Sequence, residues 1–121
     1  MRKADWKKKI IVQTQGVGTY RKEFLPAIDT LAGILEQRDK THAEFTKSGG
    51  KSVIEYTNKN GSTNLIKNPL LQTWNDLNTS ALAYWRDLGL TPQGLRKIDE
   101  DLLKPQKKKS ALAEALKDLG G

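Results

Sequence analysis

The sequence of 121 residues contains no cysteine and only one histidine, and these absences exclude several kinds of chemistry. Without cysteine the protein has no disulfide bond, no thiolate nucleophile and no Cys-based zinc site. His42 has no second histidine with which to hold a metal ion, and Glu36 and Asp39 beside it are typical of a solvated helix surface. We therefore predict that the protein uses no metal and no cofactor.

Sequence motifs for catalysis are also missing. The segment Gly16-Val17-Gly18 lacks the remaining glycine and the preceding strand of a dinucleotide-binding loop, and no Gly-Lys-Ser/Thr phosphate loop is present. The run Asp99-Glu100-Asp101 is of the kind usually found on a solvated face. The sequence therefore predicts a protein that is not an enzyme.

Long hydrophobic runs are absent as well. No apolar stretch approaches the ~20 residues needed to span a bilayer, and Ile10-Ile11-Val12 is too short for the core of a signal peptide. We therefore expect a cytoplasmic protein without a membrane partner. The net charge of +7, from 21 basic and 14 acidic residues, favours an anionic partner such as nucleic acid.

Two clusters near the ends of the chain contain nine of the 21 basic residues. One cluster surrounds Asp5, and the other falls in a Pro-interrupted linker over residues 104–109. Lysines in such clusters can bind DNA phosphates, or they can simply keep the surface soluble, and the sequence leaves both readings open. The candidate phosphate-binding residues of the first cluster are Arg2, Lys3, Lys7, Lys8 and Lys9.

Hydrophobic periodicity predicts two helices in the first half of the chain. Trp6 and Ile10, four residues apart, predict a short amphipathic helix over residues 2–15 that ends at Gly16 and Gly18. A second helix over residues 19–46 carries apolar residues at steps of three and four. Pro26 predicts either a kink in this helix or a helix that begins near it.

The second half of the chain alternates turn signals with regular elements. Residues 52–66 contain two β-prone strings around an Asn-Gly turn and predict a β-hairpin. Asn68 is a good N-cap and Pro69 a good first helical residue, so a long helix should begin there and end at Gly89. Thr91 and Pro92 should open a further helix that fades before residue 105, and residues 110–119 predict a short tail helix.

These elements predict a mainly α fold in which residues 19–47 and 69–88 pack as an antiparallel helical hairpin. Its domains are a basic N-terminal segment (1–18), the hairpin core with the β-hairpin inserted near 52–66 (19–103), and a basic linker with the tail helix (104–121). The apolar stripes exceed what one helix contact can cover, which predicts a ring-forming homo-oligomer. The candidate interface residues are Leu71, Trp74, Leu82 and Trp85.

A second candidate DNA-binding element follows the long helix. A helix, a Gly turn and another helix resemble a helix-turn-helix motif, in which Gln93, Arg96 and Lys97 would face DNA. The same string also fits a turn that only packs, because Gly94 weakens a recognition helix and the carboxylates of residues 99–101 would repel phosphate. Both interpretations stay open at this point.

The strings Lys67-Asn68-Pro69 and Leu88-Gly89-Leu90-Thr91-Pro92 flank the long aromatic helix, and Arg96 follows shortly after them. In this order, after a basic amphipathic start and a helix led by Tyr20, they resemble the small terminase subunit family of long-tailed bacteriophages over residues 4–100. The resemblance implies a ring that binds double-stranded phage DNA in the host cytoplasm. It also implies delivery of that DNA to the large terminase subunit, which carries the ATPase and nuclease.

Two other classes of function remain compatible with the residues. A helix-turn-helix regulator would bind a palindromic site as a dimer through residues 91–102. A structural adaptor would show no salt-dependent affinity for DNA.

Overall fold

The computed structural model describes residues 1–101, and the predictions for residues 104–121 lie outside this range. The fold is mainly α with one small antiparallel β-hairpin, as predicted. No helix within residues 1–101 is both long enough and apolar enough to cross a membrane. The named elements are α1 (Lys3–Val17), α2 (Leu25–Lys47), β1 (Val53–Thr57), β2 (Thr63–Lys67) and α3 (Pro69–Asp87), with a 3₁₀ turn over Lys22–Phe24 and a further helical segment over residues 92–101.

The end of α1 is set by a glycine in the left-handed conformation. The helix continues through Gly16, where the sequence predicted a break, and stops at Gly18, whose φ is 80°. The Gly18 N–H donates to the carbonyl oxygens of Thr14 and Gln15, which closes the last turn. The next residue, Thr19, donates its hydroxyl to the carbonyl oxygen of Leu88 at 2.6 Å. The loop between α1 and α2 is therefore held against the end of α3.

The start of α2 resolves the two outcomes that Pro26 left open. The helix begins at Leu25, six residues later than the sequence predicted, and Pro26 lies in its first turn. Proline is tolerated there because a first-turn N–H has no partner within the helix, and its fixed φ already suits the helix. The helix therefore begins at this proline and is not kinked by it.

Helices α2 and α3 pack antiparallel, as predicted. Arg38 of α2 contacts Asn78 of α3, and the later α2 residue His42 contacts the earlier α3 residue Trp74, so the two helices run in opposite directions. Of the α3 residues expected in the seam, Leu88 is buried, whereas Trp74, Leu77 and Tyr84 are only half-buried in the protomer. The buried apolar core consists of Ile10, Ile28, Leu31, Ala32, Leu35, Ala81 and Leu88.

The β-hairpin is joined to the helices mainly at its base. Ile54 of β1 pairs with Ile66 of β2, and the turn is organised by the Asn58 side chain, which accepts hydrogen bonds from Asn60 N and Ser62 N. Gly61 completes the turn with a φ of 80°. Most residues of both strands are exposed, so the hairpin projects from the helices as an arm.

Asn68 joins the hairpin to α3, and its replacement should destabilise the fold. Its Oδ1 accepts from Leu70 N at 3.0 Å, while its Nδ2 donates to the carbonyl oxygen of Lys51 at 2.9 Å. We expect Asn68→Ala to lower the free energy of unfolding by about 1–2 kcal/mol, because a helix cap and a second hydrogen bond are lost together. Urea denaturation checks this. The stability of Asn68→Asp should fall between those of the parent and Asn68→Ala, because aspartate keeps the helix cap and loses only the second hydrogen bond. Asn64→Ala, at an exposed position of β2, is the matched control and should change little.

Two glycines set the turn that follows α3. Gly89 has a φ of 73°, and Leu90 N donates to the Trp85 carbonyl oxygen at 2.8 Å, which is the helix end that the sequence predicted. Thr91 Oγ1 then accepts from Gly94 N at 3.0 Å and caps the next helical segment. A Cβ atom at Gly94 would lie 2.2 Å from the carbonyl oxygen of Arg86. The segment over residues 92–101 therefore crosses the end of α3 at a distance that only glycine permits.

Candidate nucleic-acid interface

Helix α1 lies along α2 and is held there by apolar and polar contacts. Ile10 is fully buried, and Trp6 is half-buried with its indole Nε1 donating to Asp39 Oδ2 at 2.8 Å. The backbone N–H of Lys3 donates to Glu36 Oε2 at 2.7 Å. Trp6 and Ile10 thus anchor the basic segment to the body of the protein, as the sequence predicted.

The five basic residues of the first cluster have different surroundings. The Nζ atoms of Lys3 and Lys7 lie 3.0 and 3.6 Å from the Asp29 carboxylate, and Lys9 Nζ lies 5.1 Å from the centre of a Trp6 ring. Arg2 and Lys8 are exposed. Exposed ion pairs contribute only about 0–1 kcal/mol, so Lys3 and Lys7 can exchange Asp29 for a phosphate at little cost.

The acidic residues of α2 that face α1 have pKa values below the ordinary ones. A hydrogen bond from the Lys3 ammonium lowers the pKa of Asp29, and the Lys3 backbone N–H lowers the pKa of Glu36. For Asp39, burial raises the pKa, but the hydrogen bonds from Trp6 and Arg38 outweigh it and the net shift is downward. All three carboxylates are therefore stabilised in their charged form by α1 or by the Arg38 beside it.

Acid should release α1 from α2. Because the folded pKa values of Asp29, Glu36 and Asp39 are lowered, their contribution to stability is present above the ordinary values of 3.8 (Asp) and 4.5 (Glu) and is lost as the pH falls below them. Tryptophan emission should stay constant from pH 7 to about pH 5 and change below about pH 4, as Trp6 leaves Asp39. Asp39→Asn should flatten this transition, whereas Asp76→Asn on α3 should leave it unchanged. A transition that is identical in all three proteins would contradict the assignment.

Arg38 joins α1, α2 and α3, a role for which the sequence offers no local signal. Its guanidinium lies 5.4 Å from a Trp6 ring of α1 and 5.9 Å from a Trp85 ring of α3. It also donates to Asp39 at 3.1 Å and to Asn78 at 3.4 Å. Stacking of a guanidinium on indole faces is favourable. Because these partners already surround Arg38, this cation supports α1 rather than a phosphate site.

The second group of predicted DNA-binding residues lies apart from the first. Arg96 and Lys97 are exposed on the segment over residues 92–101, which begins just after the α3 end that contacts Thr19. Helix α1 separates Thr19 from Arg2, and its 15 residues span about 22 Å at the rise per residue of an α-helix. The structure therefore places Arg96 and Lys97 beyond one end of α1 and Arg2 at the other, not in one compact patch.

The four predicted interface residues differ in exposure. Leu82 has 43% of its surface exposed, and Leu71 and Trp74 are half-buried. Trp85 is half-buried, packs against the buried core, and has the Arg38 guanidinium 5.9 Å from the centre of one of its rings.

Comparison with known proteins identifies the family. The model of the family described as "Phage terminase, small subunit" matches residues 3–101, which is the whole described part of the chain apart from its first two residues. The chain therefore belongs to the phage terminase small subunit family, and its role lies in phage DNA packaging. Small terminase subunits are generally not catalytic, and the ATPase is the large subunit. No curated protein and no solved structure matches the chain.

Proposed function

We propose that this chain is the non-enzymatic subunit that recognises phage DNA in the host cytoplasm and recruits or stimulates the large terminase subunit. The observation that carries the proposal is the basic outer surface of α1, which is held on the protein body by Ile10 and Trp6. A helix fixed in this way presents its lysines to phosphate with less loss of conformational freedom than a flexible tail would. Membership of the family supports the DNA and the large subunit as partners.

We further propose that the chain acts as a homo-oligomeric ring. A large exposed apolar side chain, Leu82, lies on α3, and Leu71 and Trp74 of the same helix are only half-buried. Apolar surface of this kind usually marks an interface. A ring would repeat the α1 lysines around its rim, so that individually weak phosphate contacts add through effective concentration.

Replacement of Lys7, Lys8 and Lys9 with alanine tests the DNA contact. Each phosphate contact releases a counterion, so affinity for duplex DNA should fall with salt at a slope of about −0.9 per neutralised phosphate. We expect the triple variant to bind all sequences more weakly and to show a slope less steep by up to about 2.7. A fluorescence anisotropy titration on one cognate and one random duplex, over a range of salt concentrations, measures both quantities.

The control for this experiment removes the same charge elsewhere. Lys22, Lys40 and Lys47 are exposed and lie outside α1, so their triple alanine variant should retain most of the slope. Light scattering should give the same oligomer mass for both variants. If the α1 variant binds like the parent at every salt concentration, the assignment of DNA binding to α1 is wrong.

Base readout by the segment over residues 92–101 is the alternative function. Gln93, Arg96 and Lys97 are all exposed on that segment, after a glycine turn. Substitution of Gln93 and Arg96 with alanine would then remove the preference for the cognate duplex but leave most of the salt slope. A dimeric mass together with this result would favour a helix-turn-helix regulator, and no salt-dependent affinity at all would favour a structural adaptor.

A further inference from the structure

The β-hairpin, here called the hairpin arm (residues 51–67), exposes apolar side chains that nothing in residues 1–101 covers. Val53, Tyr56 and Leu65 are 46%, 53% and 73% exposed. A two-stranded ribbon is marginally stable by itself in water, so it requires a surface to pack against. The pairing register places Val53 and Leu65 on one face, beside Glu55 and Lys67, and Tyr56 on the other face. The arm therefore exposes apolar side chains that remain uncovered within the described residues of one protomer.

The opposite end of the protomer contains an apolar depression, here called the end cleft. It has a volume of about 470 Å³ and lies between α1 and the turn after α3. A second, smaller depression of about 230 Å³ shares Val17 with it, and its charged lining residues are Arg21, Asp87 and Asp99. An aliphatic side chain fits the first depression, and a lysine beside it would meet the carboxylates of the second. The residues that line the end cleft are Gln13, Val17, Gly89, Leu90, Thr91, Pro92 and Leu95.

The charges of these two surfaces are opposite. The arm carries three lysines and one glutamate, which gives a net charge of +2. Residues 86–101, from the last turn of α3 onward, carry three basic and four acidic residues, which gives −1. Complementary charge of this kind favours association and fixes the orientation of the partners.

One copy of the chain cannot join its own arm to its own cleft. The arm is attached at Asn68, at the start of α3. The end cleft begins at Gly89, just beyond the last residue of α3. The 19 residues of α3 span about 28 Å, whereas a strand of five residues reaches only about 17 Å. The two surfaces can therefore meet only between different copies.

We propose that the hairpin arm of one copy binds in the end cleft of the next copy. Leu65 enters the apolar depression, and the lysines of the arm lie near Asp87 and Asp99 of the neighbour. The contact joins two different surfaces, so it is head-to-tail and can close into a ring, which a twofold contact cannot. This inference rests on the self-association proposed above, but it assigns the contact to surfaces other than Leu71 and Leu82.

Cysteine cross-linking of the full chain tests this contact, because the natural sequence contains no cysteine. Leu65→Cys and Leu90→Cys should each remain monomeric on a non-reducing denaturing gel after mild oxidation. A mixture of the two variants should give a disulfide-linked dimer, and the double variant should give a ladder of larger species. The control mixture of Leu65→Cys with Leu82→Cys should not cross-link. Cross-linking only in that control would place the arm on α3 and overturn the proposal.

A charge exchange provides an independent test. We expect Lys59→Glu combined with Lys67→Glu to weaken self-association at least about tenfold, because the arm would then repel the carboxylates of the cleft. Mixing this variant with Asp87→Lys/Asp99→Lys should restore the larger species in light scattering. Failure of the mixture to restore them, with both variants folded by circular dichroism, would overturn the proposal.

The outcomes separate this inference from the function proposed above. Multimers that form without the Leu65–Leu90 cross-link would refute the arm contact and leave the ring intact. A monomer at micromolar concentration would refute both. A cross-link within one chain between Leu90→Cys and Leu116→Cys would show that the chain's own C-terminal residues fill the cleft, which also overturns the arm contact. The difference in salt slope between the α1 lysine variant and its control tests the DNA contact separately from these results.

Discussion

Gly94→Ala should destabilise the protein by about 3 kcal/mol, the upper end of the range for overpacking, because the added methyl group meets rigid backbone. Its Cβ would lie 2.2 Å from the Arg86 carbonyl oxygen and 2.9 Å from the Arg86 Cα, both of which belong to the last turns of α3. This steric clash can be relieved only if the whole segment over residues 92–101 shifts away from α3. Urea denaturation measures the loss.

Gly16→Ala is the matched control for this substitution. Gly16 lies within α1, and a Cβ atom there has no neighbouring atom within 4 Å. Alanine has the higher helix propensity, so this variant should be stabilised by up to about 1 kcal/mol. If Gly94→Ala were as stable as Gly16→Ala, the crossing of α3 by the following segment would be looser than described above.

Ile10→Ala should release α1 from the protein body. Ile10 is fully buried, and it is the α1 residue that enters the apolar core. Truncation of a buried isoleucine costs about 2–5 kcal/mol, through lost burial and the cavity left behind. The expected result is a lower urea midpoint with a change in tryptophan emission, because Trp6 loses its hydrogen bond to Asp39.

The comparison variant for Ile10 is Val12→Ala. Val12 lies two residues further along the same helix and is 65% exposed, so its truncation should change stability by less than about 0.5 kcal/mol. Under the proposed contact between α1 and DNA, DNA affinity should also fall, since a released α1 would have to be reordered on binding. Equal stability of the two variants would show that α1 is not held by Ile10.

Much of the fold could be predicted because its signals are local. Asn68 and Pro69 start α3 by capping and by a fixed φ, and Gly89 ends it because its left-handed φ suits glycine. The Asn-Gly turn of the β-hairpin is equally local. The family also followed from the order of these signals along the chain, and the match over residues 3–101 confirmed it.

Contacts between distant residues account for what the sequence did not predict. Arg38 lies 32 residues from Trp6 and 47 from Trp85, so no periodic pattern relates these three side chains. The packing role of Gly94 also depends on the position of the end of α3 in space. From the sequence alone, Gly94 indicated only a weak helix. The DNA-binding and interface residues remain predictions, since surface residues of one protomer leave the identity of the partner open.

The position of the apolar core has a consequence for local stability. Its buried members lie at residues 10, 28–35, 81 and 88, all toward the end of the helical hairpin that contains Thr19 and Gly89. Between residues 36 and 80 the contacts are mainly polar or aromatic, and most side chains are half-buried, as for Trp74, or exposed, as for His42. Regions with few buried apolar contacts open at a lower free-energy cost than the rest of a protein. Backbone amides near the hairpin arm should therefore exchange with deuterium sooner than those near Leu31, so the arm is carried by the half of the protein that can adjust to a neighbour.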